Sequence, residues 1–153
     1  MSFMQLSSEA RELYQEVHWG KLRGCTLRLV SDSLCDAGSS FAHASSDQST
    51  PNAESQWNNM VAELPHDQCA FFIANFDYVA DSDGVRRSKV LAILWAPSSA
   101  PAKQKMLSAF CEKSVIDQCG SGGGIARRLQ GGTLADLDYE LVREKILRTS
   151  TIK

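Results

Sequence analysis

The chain has 153 residues, 43% hydrophobic and 22% charged, with a formal net charge of −2. That balance suits one domain, residues 1–153, and supplies no global basic field for nucleic acid or a membrane surface, so electrostatic binding must come from local patches. No apolar run is long enough to span a bilayer, and the opening MSFMQLSSEARE turns polar and acidic too soon for a secretory signal.

Cys25, Cys35, Cys69, Cys111 and Cys119 are odd in number and form no C-x-x-C pair, which reads as reduced thiols in the cytosol. His18, His43 and His66 are too scattered to complete a zinc site. No metal or cofactor is expected.

Ser7 and Ser8 precede apolar residues at Ala10, Leu13, Tyr14 and Val17. This is helical spacing, with Glu9, Arg11, Glu12 and Glu16 outward and Gly20 as the stop. Cys25–Val30 reads as a strand. Ser31–Asn52 is poor in apolar residues; a return strand is expected near Phe41–Ala44, then a loop over Ser45–Asn52. Trp57, Met60, Val61 and Leu64 predict a short helix over Glu54–Leu64, ended by Pro65. Cys69–Tyr78 and Val90–Trp95 are continuous apolar runs of buried-strand length, and Asp83-Gly84 marks a turn between them. The tip of that hairpin carries Arg86, Arg87 and Lys89.

Pro97 ends the second run, Ser98 and Ser99 are candidate caps, and Pro101 suits the first turn of a helix. Lys103, Lys105 and Met106 then lie in its first turns. Two lysines beside the positive end of a helix dipole are locally unfavourable. They fit solvated lysines on a helix surface, which the residues alone favour, or contact with an acidic partner. Cys119–Gly124 is a glycine-rich loop without the phosphate-binding lysine pattern. Ile125–Leu129 reads as a short strand. A last helix follows, with Leu134, Leu137, Leu141, Val142 and Ile146 inward and Glu140, Arg143, Glu144, Lys145 and Arg148 outward. The fold class is α/β or α+β: a central mixed sheet with helices on both faces.

No serine lies in G-x-S-x-G, the cysteines sit in apolar or helical runs, and Asp81 and Asp83 suit a turn. What remains is two basic clusters, Lys103 with Lys105, and Arg86, Arg87 and Lys89 with Lys145 and Arg148, as in a surface for a large acidic protein. A second class, a small cytosolic thiol- or nucleotide-dependent enzyme, would show a reactive cysteine of low pKa.

Trp95-Ala-Pro-Ser-Ser-Ala-Pro-Ala-Lys-Gln-Lys-Met106 resembles the W-[AS]-P-[DE]-x-A-P-x-[KR]-x-K-M signature of the actin-depolymerising factor/cofilin family. Met4–Lys21 is similar to that family's first helix, Arg87-Ser-Lys89 to its basic approach to the fourth strand, and Leu129–Ile146 to its last strand, turn and C-terminal helix. The resemblance implies a gelsolin-like actin-depolymerising-factor homology domain, with five or six mixed strands between two pairs of helices. It implies no enzyme, but a monomeric cytoplasmic protein, associated with the cytoskeleton, that binds actin monomers and filament sides and drives severing and depolymerisation. Carried over by position, the monomer-binding face falls on Ser2, Lys103, Lys105, Met106 and Lys113, and the filament-binding face on Arg86, Arg87, Lys89, Glu144, Lys145 and Arg148. Ser2 falls on the family's regulatory phosphorylation site, although Phe3-Met4 replaces the usual Gly-Val. Phosphoinositides are expected at Arg86, Arg87 and Lys145.

Past Met106 the family continues Y-A-S-S-K-D and a basic pair, whereas this chain has Ser108-Ala-Phe-Cys-Glu-Lys113, then Ile116 and Asp117. Lost positive charge on the long helix implies weaker contact with a standard actin, or a divergent actin as partner. It also leaves open a coactosin-like filament-side binder with weak depolymerising activity. A domain that binds an actin-related protein, as glia maturation factor does, is a further alternative.

Overall fold

The computed structural model of the chain describes residues 5–42, 53–79, 84, 86–119 and 124–151. Helix α1, Ser8–His18, starts where the Ser7 hydroxyl accepts the Ala10 N–H at 3.0 Å. It buries Ala10, Tyr14 and Val17, one face at helical spacing. Gly20, at φ +81°, closes it in a Schellman turn: the Gly20 N–H reaches the Val17 carbonyl and the Lys21 N–H the Glu16 carbonyl.

Six strands form one sheet: β1 Gln5–Leu6, β2 Leu22–Leu29, β3 Leu34–Ala42, β4 Ala70–Val79, β5 Arg86–Trp95 and β6 Arg127–Gly131, in the order β1-β3-β2-β4-β5-β6. The inner pairs are antiparallel, and the outer pairs β1–β3 and β5–β6 are parallel, so the sheet is mixed. Both faces are covered, which is why β4 and β5 read as continuous apolar runs instead of alternating ones. Phe71, Ile73, Ala92 and Leu94 point to one core with α1 and helix α3, Ala102–Cys119. Phe72, Phe76, Leu91 and Ile93 point to the other, with helix α2, Ala53–Ala62, and helix α4, Tyr139–Thr151. Two indoles lock loops onto this frame: Trp57 Nε1 donates to the Leu137 carbonyl and Trp95 Nε1 to the Pro65 carbonyl, each at 2.7 Å.

Several elements differ from the sequence reading. The return strand begins at Leu34, well before Phe41. Its polar, small residues hid it, because beyond Cys35 it is paired on one side only, through its backbone to β2, and needs little apolar content. His43 and Ala44, and the loop expected at Ser45–Asn52, lie outside the described residues. Arg86, Arg87 and Lys89 are not on the hairpin tip but within β5, paired with Val79, Tyr78 and Phe76. Ser98 and Ser99 do not cap α3; Pro97–Ala100 closes a turn of its own, and the Pro101 carbonyl accepts the first helical bond, from the Lys105 N–H. The last helix is broken. A 3-10 turn at Ala135–Leu137 precedes α4, and Asp138 between them is extended (ψ 138°), which shifts the helical phase. Leu137, Tyr139, Val142 and Ile146 are therefore buried while Leu134 and Leu141 are exposed.

Candidate binding surfaces

Helix α3 leaves the end of β5 through Pro97–Pro101 and packs one side on the sheet. Ser108, Cys111, Val115, Ile116 and Cys119 are buried. The opposite side carries Lys103, Met106, Phe110, Lys113 and Asp117, spaced three and four residues apart, so they form one outward stripe. Met106 is 74% exposed and Phe110 81%. Lys113 is held by Asp117, Nζ to Oδ2 at 2.9 Å, with both side chains in solvent.

Lys105 leaves this stripe. Its Nζ donates to the Ser98 carbonyl at 3.3 Å, and it lines a cleft of about 420 Å³ with Ala109, Gln130 and Asp136. The far wall is the 132–136 turn, organised by Asp136. Its carboxylate accepts the N–H groups of Gly132 at 2.9 Å and Thr133 at 3.1 Å, and the Thr133 hydroxyl accepts the Asp136 N–H at 3.2 Å. The backbone bond from Gly132 is the main reason the Asp136 carboxyl titrates below its ordinary range. Gly132 is required there: a Cβ would stand 2.6 Å from the Ala96 carbonyl oxygen. Asp136 and Phe110 were not singled out from the sequence. The T-x-x-D spacing of Thr133 and Asp136 is a capping-box signal that would have found the first.

The second cluster is only partly assembled. Arg87 is exposed and Lys89 half-buried where β5 begins, and nothing is described of the Arg86 side chain. The adjoining end of β4 is clamped to α4, since Arg143 donates twice to the Val79 carbonyl, at 2.7 and 3.2 Å, and the Tyr139 hydroxyl donates to the Asp77 carbonyl at 2.8 Å. On the far side of that strand end, Arg23 and Asp77 form a nearly buried pair at 3.1 Å. Glu144 and Arg148 pair along α4 at 3.5 Å. Lys145 lines a shallow depression of about 470 Å³ at the β6 edge with Arg127, Arg128 and Glu112, and its carbonyl accepts Arg127 Nη1 at 3.2 Å.

Two expected losses of charge on the long helix take a different meaning here. Ile116 is 7% exposed and belongs to the core, so it presents nothing to a partner. Glu112 faces the basic edge strand β6 of its own chain. Ser2 lies outside the described residues.

Residues 3–147 match the family described as Cofilin/tropomyosin-type actin-binding protein. The chain belongs to that family. The cofilin of Mycosarcoma maydis is 26% identical over 149 residues, covering 97% of this chain and 98% of its own. Actophorin of Acanthamoeba castellanii is 34% identical over 95 residues, which is 62% of this chain and 64% of that one. A crystal structure of Streptomyces griseoflavus cofilin superposes with a TM-score of 0.72 at 26% identity, covering 95% of this chain and 98% of that one. This cofilin-family chain thus has the mixed six-stranded sheet seen in its structural relatives. All five cysteines are free and buried. Burial pushes the Cys35 and Cys119 thiols up to about 12, the reverse of what a nucleophilic thiol needs.

Proposed function

We propose that the protein binds actin monomers and the sides of actin filaments and promotes severing, depolymerisation and turnover, as a monomer in the cytoplasm and without catalysing a reaction. The observation that carries this reading is the outward stripe on α3, which begins at Lys103 and Met106 beside the cleft under Lys105. A cationic first turn followed by exposed apolar side chains suits a partner with acidic groups around an apolar recess. Lys89 and Arg87 on β5, with Glu144, Lys145 and Arg148 on α4, make the second, filament-specific contact. Phosphoinositides compete through Arg87 and Lys145, and phosphorylation of Ser2 weakens monomer binding by adding negative charge beside the cationic contact.

Filament co-sedimentation and nucleotide exchange on actin monomers test the reading. Lys103→Ala with Lys105→Ala should weaken monomer binding, and Arg86→Ala with Arg87→Ala should mainly weaken filament binding. Protein that stays in the supernatant at several pH values and leaves exchange unchanged would refute the function; equal losses in both assays would refute the two-surface assignment. The pairing of Lys113 with Asp117, which cancels charge on the far half of the stripe, favours a second reading: a coactosin-like filament-side binder with weak depolymerising activity. Imaging single filaments separates the two, since the first predicts breaks along filaments and the second decoration without breaks.

A further inference from the structure

Helix α3 carries two large apolar side chains, Met106 and Phe110, on the side opposite its buried residues, whereas α1 turns Ala10, Tyr14 and Val17 inward. Large apolar side chains on a surface helix normally face the core. Here the inner side is satisfied by the sheet, and the outer side leaves Met106 and Phe110 one turn apart and mostly in water. Phe110 is the most exposed of the large apolar residues described. It makes no contribution to the core. The charged residue that follows it on the same stripe, Lys113, is neutralised by Asp117 at 2.9 Å. Beyond its first turn, then, the stripe offers a partner an aromatic ring and a thioether, with little net charge.

We infer that Phe110, supported by Met106, is an apolar anchor for the actin monomer and fixes which actin this chain prefers, namely one with an apolar recess opposite the middle of α3. The inference rests on the proposed actin binding and deepens it. The occupant is argued from continuity: Met106 and Phe110 extend the stripe that starts at Lys103, and the chain belongs to a family of actin-binding proteins. Aromatic side chains that bury a whole ring at the centre of an interface dominate its energetics, while neighbouring exposed ion pairs contribute little. The departures from the family pattern along α3 then shift the contact from charge towards apolar burial instead of simply weakening it.

The test measures the affinity of the full chain for ADP-bound actin monomers carrying a fluorescent reporter, at low and at moderate salt. Phe110→Ser removes the exposed ring, and Phe and Ser have similar helix propensity, so the fold is left alone. The expected result is a loss of affinity of about thirtyfold at both salt concentrations with an unchanged Tm. Glu63→Ala, an exposed charge just past α2 and away from both surfaces, should change affinity less than about twofold. Phe110→Ser binding as tightly as the parent, or more tightly, overturns the inference while leaving the proposed function standing. A parent protein that leaves actin unbound refutes the function and the inference together. A dimer of the free protein that Phe110→Ser dissociates, with actin affinity unaltered, overturns actin as the occupant of this surface.

Discussion

Asp136 joins the stability of the fold to the shape of the cleft, and Asp136→Ala tests that connection. The substitution removes the acceptor for the Gly132 and Thr133 N–H groups and leaves the reciprocal bond from Asp136 N–H to the Thr133 hydroxyl. Losing a capping side chain costs about 0.5–2 kcal/mol. The turn is exposed, so water takes over the freed N–H groups and screening keeps the loss near ~1 kcal/mol. For a chain of this size that lowers Tm by about 2–4 °C. The pH dependence has a definite sign. The folded-state pKa of Asp136 lies below its ordinary value, held there first by the Gly132 N–H. The contribution is therefore fully present above the unfolded pKa of about 3.9 and is lost as pH falls through the folded value. Urea unfolding at pH 7, 5 and 3 should show the parent more stable at the two higher values, with the gap closing at the lowest. Asp136→Asn, which keeps an acceptor but not the charge, should fall between. Identical midpoints at pH 7, or a gap that stays constant down to pH 3, would refute the assigned role. Loosening this turn moves the far wall of the cleft beside Lys105, so Asp136→Ala is also expected to weaken monomer binding without touching α3.

Trp57→Phe removes the indole bond to the Leu137 carbonyl and shrinks a side chain that is 1% exposed between Phe72 and Phe76. A stranded buried carbonyl and a new void together cost about 2–4 kcal/mol, read as a shift in urea midpoint with an unchanged m-value; a cost below about 0.5 kcal/mol would show that the α2–turn lock does not matter. The buried thiols give an alkaline limit. Cys35 and Cys119 titrate at about 12 in the folded chain and about 8.5 when unfolded, so their contribution is intact below about pH 8.5 and is lost as pH rises towards 12. Under reducing conditions stability should fall above pH 9 by up to ~1.4 kcal/mol per pH unit per thiol. Cys35→Ala with Cys119→Ala should reduce that slope, with buried Cys25, whose thiol is also pushed up by burial, keeping part of it, and an unchanged slope would rule these two thiols out as a source.

The parts legible in the sequence were those where one local signal decides one element. Ser7 and Gly20 bracket α1 because a hydroxyl oxygen can cap an N–H and glycine alone takes positive φ cheaply. Continuous apolar runs marked β4 and β5 because both faces of those strands are covered. Strand β3 read short because its pairing is mainly with β2 and little of its stability comes from its own, mostly exposed side chains. The broken last helix was missed because Leu134, Leu137 and Leu141 keep helical spacing across Asp138, although the chain is extended there.

For the candidate surface the division is sharper. The sequence alone determined that Lys103, Lys105 and Met106 begin a helix at the end of a central strand, since Pro97 and Pro101 leave little choice. It could not determine which residues of that helix face out. Apolar residues occur on both sides of α3, so periodicity has no preferred phase, and only packing against the sheet put Ser108, Cys111 and Val115 inside and Met106 and Phe110 outside. The same packing turned Ile116 inward and Glu112 towards β6, and it folded Lys105 back onto Ser98. Burial is a property of what lies on the other side of a residue, and for α3 that neighbour is the sheet, assembled from strands far away along the chain.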